Sequence, residues 1–412
     1  MTAHTIPYHT IDRRGRACGR ARGNRSSIDP MAGHGGPLAL VALCVLELAL
    51  RGAGAGEAPA PGPALGLAPG PAPERLVPAM FVFGDSTVDV GNNNLLPDCT
   101  PACRANYPQY GVDYPSQEPT GRFSNGFNLA DQLAQFLGFD ESPPAFQSLP
   151  AKGIAAQMKN GVNFASGGSG LQNKTGQKLC GQLFSMADQV EKFTSAVKTM
   201  GQDSGDLISR SLFFISVGSN DLFEYADPDS PPADRNDTAF LESLVAYYRG
   251  YLQELHAAGA RKFSIISPAL VGCCPSQRAI AKKHDDTDEF GCFGAANNLS
   301  RQLYPILASM LKDLSRDRAG MNYSLCDSAT MAETIFKPGG GAGFDLTVLD
   351  TACCGGAGKC NSSAKLCPNH DNYMFWDSYH PTKAASALAA MALFSDPGMY
   401  VHPMNVGALA EL

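Results

Sequence analysis

Residues 79–86 read Ala79-Met80-Phe81-Val82-Phe83-Gly84-Asp85-Ser86, an apolar run that stops at a small polar turn with a hydroxyl at its tip. An apolar run of this length, bounded by a turn, is typical of a buried strand. Far along the chain, Phe375-Trp376-Asp377-Ser378-Tyr379-His380-Pro381 places an acid three residues before a histidine. A serine hydroxyl needs an imidazole to take its proton, and the imidazole needs an acid to fix its tautomer. The two segments together supply all three residue types.

Outward from this first run, short apolar segments alternate with longer segments of helical periodicity. The pattern predicts strands near residues 81–83, 162–165, 212–217, 262–266 and 321–325. It predicts helices near residues 127–137, 183–197, 238–258, 298–314 and 382–394. Alternation of strand and helix is typical of a mainly parallel sheet that is covered on both faces. The predicted fold class is therefore α/β.

Three polar turns each follow directly on a predicted strand: Gly84-Asp85-Ser86, Gly167-Gly168-Ser169 and Gly218-Ser219-Asn220-Asp221. Ligands bind outside the carboxyl ends of the strands in such sheets, so we expect all three turns to face one crevice. An asparagine amide and the backbone N–H groups of a glycine turn can stabilise a developing oxyanion. Each motif alone also has a plainer interpretation, in which Ser86 caps a helix, Asn220 and the glycines form turns, and His380 lies on the surface.

Taken together, four ordered segments resemble the sequence blocks of the plant GDSL esterases/lipases, which belong to the SGNH hydrolase superfamily. They are residues 83–86, 161–168, 217–221 and 375–381. Two further segments, 120–126 and 352–355, are typical of the plant group. The resemblance covers the chain from about Met80 to Phe394. It implies a flavodoxin-like three-layer α/β/α sandwich with a mainly parallel sheet.

The resemblance also implies a role for each matching residue. Ser86 is the expected nucleophile, His380 the base, and Asp377 the acid that orients His380. The expected oxyanion donors are the Ser86 backbone N–H, the Gly168 N–H and the Asn220 side chain, with Gly167 as the alternative glycine. No metal or organic cofactor is expected.

The function that follows is a secreted carboxylic-ester hydrolase that works through an acyl-serine intermediate. Lipid, polyester and acetylated-glycan esters are all compatible substrates. One alternative is an acyltransferase with the same triad, in which an alcohol replaces water. Another is a catalytically idle glycoprotein that binds glycan or lipid, although an intact set of site residues argues against it.

Export is predicted from the first part of the chain. Residues 1–30 are an Arg-rich leader, 31–55 have the layout of a signal peptide, 56–75 form a Pro/Ala/Gly-rich linker, and 76–412 form the hydrolase domain. Translation starting at Met31 rather than Met1 fits this layout.

The apolar run at 37–50 is shorter than the ~20 residues of a transmembrane helix, so no stable membrane anchor is expected. A net charge of −7 without a basic run in the body argues against nucleic acid as a partner. The predicted location is extracellular or cell wall, and the oligomeric state stays open.

Cysteines and glycosylation sequons agree with export. Two of the 13 cysteines precede residue 56, and the remaining eleven are disulfide candidates. Because eleven is odd, at least one of them should stay free or pair with another chain. A zinc site using Cys360, Cys367 and His370 is the weaker alternative, since no paired C-x-x-C spacing is present. The disulfide candidates are Cys99, Cys103, Cys180, Cys273, Cys274, Cys292, Cys326, Cys353, Cys354, Cys360 and Cys367. The glycosylation candidates are Asn173, Asn236, Asn298, Asn322 and Asn361.

Overall fold

The computed structural model describes residues 74–201, 204–356 and 358–412. The predicted leader and signal peptide lie outside the described residues, as does the predicted linker except for its last two residues. A six-stranded sheet runs in the order β2-β1-β3-β4-β5-β8, with β1 to β5 parallel and β8 antiparallel at one edge. Its strands are β1 (Met80–Gly84), β2 (Gly161–Asn163), β3 (Leu212–Ser216), β4 (Lys262–Ile266), β5 (Asn322–Cys326) and β8 (Val401–His402). A separate two-stranded sheet pairs β6 (Val348–Ala352) with β7 (Tyr373–Phe375).

Helices flank the main sheet. Within the described residues they are α1 (Asn92–Leu95), α2 (Leu129–Phe136), α3 (Ile154–Gln157), α4 (Gln177–Cys180), α5 (Met186–Thr199), α6 (Ser204–Arg210), α7 (Ser219–Ala226), α8 (Asp237–Ala257), α9 (Pro275–His284), α10 (Gly294–Asp317), α11 (Ser328–Phe336), α12 (Lys383–Ser395) and α13 (Val406–Glu411). None of these helices is both long enough and apolar enough to cross a bilayer.

Alternation along β1 divides the core into two layers. Phe81 and Phe83 point to one face and pack with apolar residues of α5, α8 and α10. Met80 and Val82 point to the other face and pack with α2, α12 and α13. Because successive side chains of a strand point to opposite faces, a fully apolar strand must be covered on both sides. Phe81 is fully buried, and truncating such a residue to alanine typically costs about 3–5 kcal/mol of stability.

The predicted three-layer α/β/α sandwich is confirmed. The parallel strands follow the order 2-1-3-4-5, which is that of flavodoxin-like doubly wound sheets. All five predicted strands and all five predicted helices are present, with ends that differ by a few residues. The sequence patterns did not predict the β6–β7 sheet, the edge strand β8, or the shorter helices between the main elements.

Candidate active site

Ser86 lies in a turn that directly follows β1, here called the Ser86 turn (residues 84–89). Gly84 has φ +148°, and a Cβ there would come within 2.1 Å of the Ser216 carbonyl oxygen on the neighbouring strand. Only glycine fits this close approach of two backbones. The side-chain amide of Gln189 accepts from the Gly84 N–H at 2.8 Å and donates to the Gly84 carbonyl at 2.9 Å. The end of β1 is thereby fixed by both backbone and side-chain contacts.

The Asp85 side chain stabilises the Ser86 turn through hydrogen bonds. Its carboxylate accepts hydrogen bonds from the Thr87 N–H at 2.9 Å and the Thr87 hydroxyl at 2.7 Å, which closes a local turn around Ser86. Burial raises the pKa of Asp85, although the two Thr87 bonds and the charge of His380 act in the opposite direction. The contacts hold Ser86 with its side chain part-exposed beside a cavity.

A line of hydrogen bonds joins the three predicted catalytic side chains. The Ser86 Oγ lies 2.7 Å from Nε2 of His380, and Nδ1 of His380 lies 2.8 Å from both carboxylate oxygens of Asp377. An ionised carboxylate can only accept hydrogen bonds, so the Nδ1 must carry the proton. Nε2 is then an acceptor, aimed at the serine hydroxyl. The structure brings these three residues together although they come from opposite ends of the domain.

Asp377 is held in its ionised form. Its Oδ1 accepts from the backbone N–H groups of Tyr379 at 2.8 Å and His380 at 2.9 Å, and its Oδ2 accepts from the Tyr110 hydroxyl at 2.8 Å. Burial opposes ionisation, but the charge of His380, its hydrogen bond and the two backbone donors outweigh burial and lower the pKa of Asp377. Burial raises the pKa of Tyr110 well above its usual value, and the Asp377 charge raises it further. Tyr110 therefore stays a hydrogen-bond donor.

The segment that carries Asp377 and His380, here called the His380 loop (residues 375–381), lies outside the main sheet. The N–H groups of Cys353 and Cys354 donate to the carbonyls of Phe375 and Trp376, at 3.0 and 2.7 Å. The Trp376 N–H donates to the His380 carbonyl at 2.7 Å, which closes the loop on itself. Two disulfides, Cys353–Cys367 and Cys354–Cys360, brace the segment that directly follows β6 and supports the loop.

The predicted oxyanion donors face the same cavity. Gly168 and Asn220 line a pocket of about 270 Å³ together with Ser86 and His380. The Asn220 amide donates to the Ser169 carbonyl at 2.9 Å, which orients the amide and leaves its second N–H available. Among the described residues, neither the Ser86 N–H nor the Gly168 N–H has a hydrogen-bond acceptor.

Gly167 and Gly168 differ in two respects. The Gly167 N–H donates to the buried carboxylate of Asp89 at 3.0 Å, so it points away from the pocket. Gly168 has φ +83°, and a Cβ there would come within 2.4 Å of the Cys180 sulfur. Its neighbour Cys180 is bonded to Cys103, which also lines the pocket. A disulfide therefore packs directly against Gly168.

Eight of the eleven disulfide candidates are paired, as Cys103–Cys180, Cys273–Cys292, Cys353–Cys367 and Cys354–Cys360. The other three candidates, Cys99, Cys274 and Cys326, are free thiols, where the odd number required at least one unpaired cysteine. Each is buried against oxygen atoms rather than a second sulfur; the Cys274 thiol, for example, lies 3.4 Å from the Tyr379 carbonyl. Cys353, Cys367 and His370 are clustered as a metal site would require, but both cysteines are consumed by one disulfide.

The glycosylation candidates occupy different settings. Four are exposed, and Asn322 is half-buried in β5. The exposed ones are Asn173, Asn236, Asn298 and Asn361. Their modification stays a prediction.

Three supporting residues were missed from the sequence. Tyr110 lies in an irregular loop, where no periodicity marks it as buried. Asp89 accepts hydrogen bonds from four backbone N–H groups, and burial raises its pKa to about 6. Gln189 could have been found, because it lies four residues before Phe193 on the apolar face of a predicted helix. A polar side chain in that position needs a buried partner.

Comparison with known proteins agrees with this geometry. A family model described as GDSL-like lipase/acylhydrolase matches residues 80–393. Three GDSL esterases/lipases of Arabidopsis thaliana are similar over most of both chains. The first is 36% identical over 81% of this chain and 90% of the relative. The second is 36% identical over 82% and 92%, and the third 33% identical over 82% and 86%. The chain belongs to the GDSL-like lipase/acylhydrolase family.

Proposed function

We propose that this carboxylic-ester hydrolase works through an acyl-serine intermediate, with Ser86 as the nucleophile, His380 as the base and Asp377 as the residue that orients the base. The observation that carries the proposal is the line of hydrogen bonds from Ser86 Oγ through the imidazole to the carboxylate. The names of the Arabidopsis relatives, esterase/lipase, agree with ester substrates.

Acylation begins when Ser86 Oγ adds to the ester carbonyl carbon and its proton passes to Nε2 of His380. The carbonyl oxygen becomes an oxyanion. When the tetrahedral intermediate collapses, the bond to the alcohol oxygen breaks and the alcohol leaves with the proton from His380. The acyl group is then bound to Ser86, and the imidazole is neutral again.

Three N–H groups are proposed to stabilise the oxyanion: those of Ser86, Gly168 and the Asn220 side chain. The absence of an acceptor for the two backbone groups within the described residues supports this assignment. The hydrogen bond from Gly167 to Asp89 favours Gly168 as the glycine donor. Donors that are already aimed at the developing charge need no rearrangement during the reaction.

Deacylation repeats these steps with water. His380 takes a proton from water, the hydroxide adds to the acyl carbon, and Ser86 leaves with the proton as the free acid forms. An alcohol in place of water would make the same chain an acyltransferase. The products separate the two outcomes, since hydrolysis yields one acid for every alcohol released.

We also propose that the protein is secreted to the extracellular space or cell wall. The signal-like segment at 31–55, the four disulfides and the exposed sequons support export. An ester substrate is the only partner that this function requires.

Ser86→Ala tests the mechanism. We expect the variant to keep the melting temperature of the wild type within a few degrees, since the Ser86 hydroxyl bonds to His380 and one such hydrogen bond contributes only ~1 kcal/mol. Its kcat should fall by about 10⁴-fold or more. Ser378→Ala is the matched control, because Ser378 lies in the His380 loop but its side chain contacts none of the three catalytic groups. Retained ester turnover in folded Ser86→Ala would remove the serine mechanism.

A further inference from the structure

A second cavity, here called the inner pocket, adjoins the catalytic pocket. Its volume is about 150 Å³. Thr87 directly follows Ser86, and Pro381 directly follows His380, so residues next to both reacting groups line the two cavities. The residues common to both are Thr87, Ser219, Ala269, Ala332, Met374 and Pro381. The inner pocket therefore opens beside the atoms that react.

The chemistry of the two cavities differs. The catalytic pocket contains the ionisable side chains of Asp85, Glu224 and His380. The described residues that line the inner pocket include no acidic, basic or histidine side chain. Some of its polar groups are already used, since the Ser267 hydroxyl donates to the Cys326 carbonyl at 2.9 Å. An apolar group enters such a space readily, whereas sugar hydroxyls would lose hydrogen bonds to water that the pocket does not replace.

Small side chains on α12 line one side of the inner pocket. Ala385 and Ala389 are four residues apart and lie on one face of the helix, and both line the inner pocket opposite Met331 and Ile335 of α11. The pocket also reaches Leu393 of α12, which is 1% exposed, and Cys326 of β5, which is fully buried. It thus extends from the catalytic pocket into the core between α12 and the sheet.

We propose that the inner pocket binds the acyl chain of the ester, and that the preferred substrates carry acyl chains longer than acetyl. The proposal rests on the acyl-serine mechanism proposed above. In that mechanism the acyl group stays bound to Ser86 after the alcohol has left and until water has entered and added to it. A cavity whose lining is apolar and largely buried suits the acyl part. The outer side, lined by Leu179 and Tyr379 at 60% and 46% exposure, suits the part that leaves.

Two ester series test which part of the substrate the inner pocket binds. One varies the acyl group of p-nitrophenyl esters from acetyl to octanoyl, and the other varies the alcohol of acetate esters. We expect kcat/KM of the wild type to rise by about fourfold for each added acyl methylene until the pocket is filled. The alcohol series should change much less.

Ala389→Phe fills the inner pocket without touching a proposed catalytic group. We expect kcat/KM for the octanoyl ester to fall by at least about tenfold, while that for the acetyl ester stays within about twofold. Ala387→Phe is the matched control, because Ala387 does not line the pocket and lies four residues before Met391, which is 46% exposed. The control should leave both rates unchanged. Ala389→Leu gives the same test with a smaller group if the phenylalanine variant does not fold.

A flat acyl series, a rise that follows the alcohol instead, or equal losses on both esters in Ala389→Phe would each overturn the proposal. These failures are distinct from failure of the mechanism. If Ser86→Ala is inactive but chain length has no effect, only the assignment of the inner pocket is wrong. If Ser86→Ala still turns over esters, the mechanism itself is wrong.

Discussion

Ser86 and His380 approach each other from two regions that are stabilised in different ways. The Ser86 turn continues a central strand of the main sheet, and hydrogen bonds to Ser216 and Gln189 fix the strand end. The His380 loop instead follows β7 of the two-stranded sheet, and two disulfides brace the segment after β6 that supports it.

This difference predicts how each region should respond to substitutions or to disulfide reduction. The position of Ser86 depends on the folded core, so a substitution at one of the proposed oxyanion donors should lower the reaction rate without altering the structure. The position of His380 depends on two nearby disulfides. Breaking one of them should therefore displace His380 without unfolding the domain. The following predictions test that contrast.

Asn220→Ala changes the Ser86 side of the site. We expect it to lower kcat more than the disulfide variant and Tyr110→Phe, which are described below. Removing one oxyanion donor typically lowers kcat by about 10²–10³-fold, because the other donors remain. The melting temperature should change little, since the lost contact is one hydrogen bond to Ser169. Steady-state kinetics and thermal melts measure the two effects. A lower melting temperature with an unchanged kcat would show that Asn220 is only a turn residue.

Opening the Cys353–Cys367 disulfide should act on the His380 side alone. In Cys353→Ala/Cys367→Ala, a shift of ~1 Å in the imidazole would lower kcat by about 10²-fold. The chain has a single tryptophan, Trp376, which is fully buried in the His380 loop. Its fluorescence should change, whereas the far-ultraviolet circular dichroism of the main sheet and helices should not.

Reduction of the wild type provides the companion experiment. Thiol mapping of the native protein should find free thiols at Cys99, Cys274 and Cys326 among the described residues, and more after reduction. Full activity after complete reduction of Cys353–Cys367, with unchanged tryptophan emission, would contradict a disulfide-supported His380 loop.

Tyr110→Phe should have the smallest effect. The variant loses the hydrogen bond to Oδ2 of Asp377, and we expect kcat to fall by about tenfold. The pKa of Asp377 is lowered in the wild type, and losing a donor destabilises the carboxylate and raises that pKa. The acid limb of the kcat/KM profile should therefore move to higher pH.

Tyr107→Phe is the control for this variant. The rings of Tyr107 and Tyr110 stack with centroids 6.5 Å apart, but the Tyr107 hydroxyl makes no hydrogen bond to the catalytic groups. Its pH profile should match that of the wild type. A lower kcat for Tyr110→Phe with an unshifted profile would mean that Tyr110 only packs against the loop.

The two regions also differ in how well the sequence predicted them. The strands β1 and β3 are apolar on both faces, so their hydrophobic runs were sufficient to locate them. The strands β2, β4 and β5 also carry polar residues, but each contributes at least one apolar residue to the core. The strands β6 and β8 were not found: β6 lies beside a Gly- and Cys-rich segment, and β8 has two residues that pair with an edge. Such elements depend on disulfides and neighbours rather than on periodicity.

The candidate site shows the same limit. The five residues expected at the site stand in recognisable sequence blocks. The structure brings Ser86, Gly168, Asn220 and His380 to one pocket and places Asp377 behind His380. Tyr110 stands in no block, and only the folded chain places its hydroxyl on Asp377. The proposal of Gly168 rather than Gly167 as an oxyanion donor likewise rests on a contact of the folded chain, the hydrogen bond from Gly167 to Asp89.

The central claim is that Ser86 carries the acyl group, and trapping it tests this most directly. An alkyl p-nitrophenyl phosphonate presents a phosphorus atom that Ser86 Oγ can attack, with release of p-nitrophenolate and formation of a stable adduct. Peptide mass spectrometry should find one adduct per chain on Ser86, activity should be lost in proportion to labelling, and His380→Ala should label far more slowly. Inactivation with Ser86 unmodified, or full turnover after Ser86 is labelled, would contradict the account.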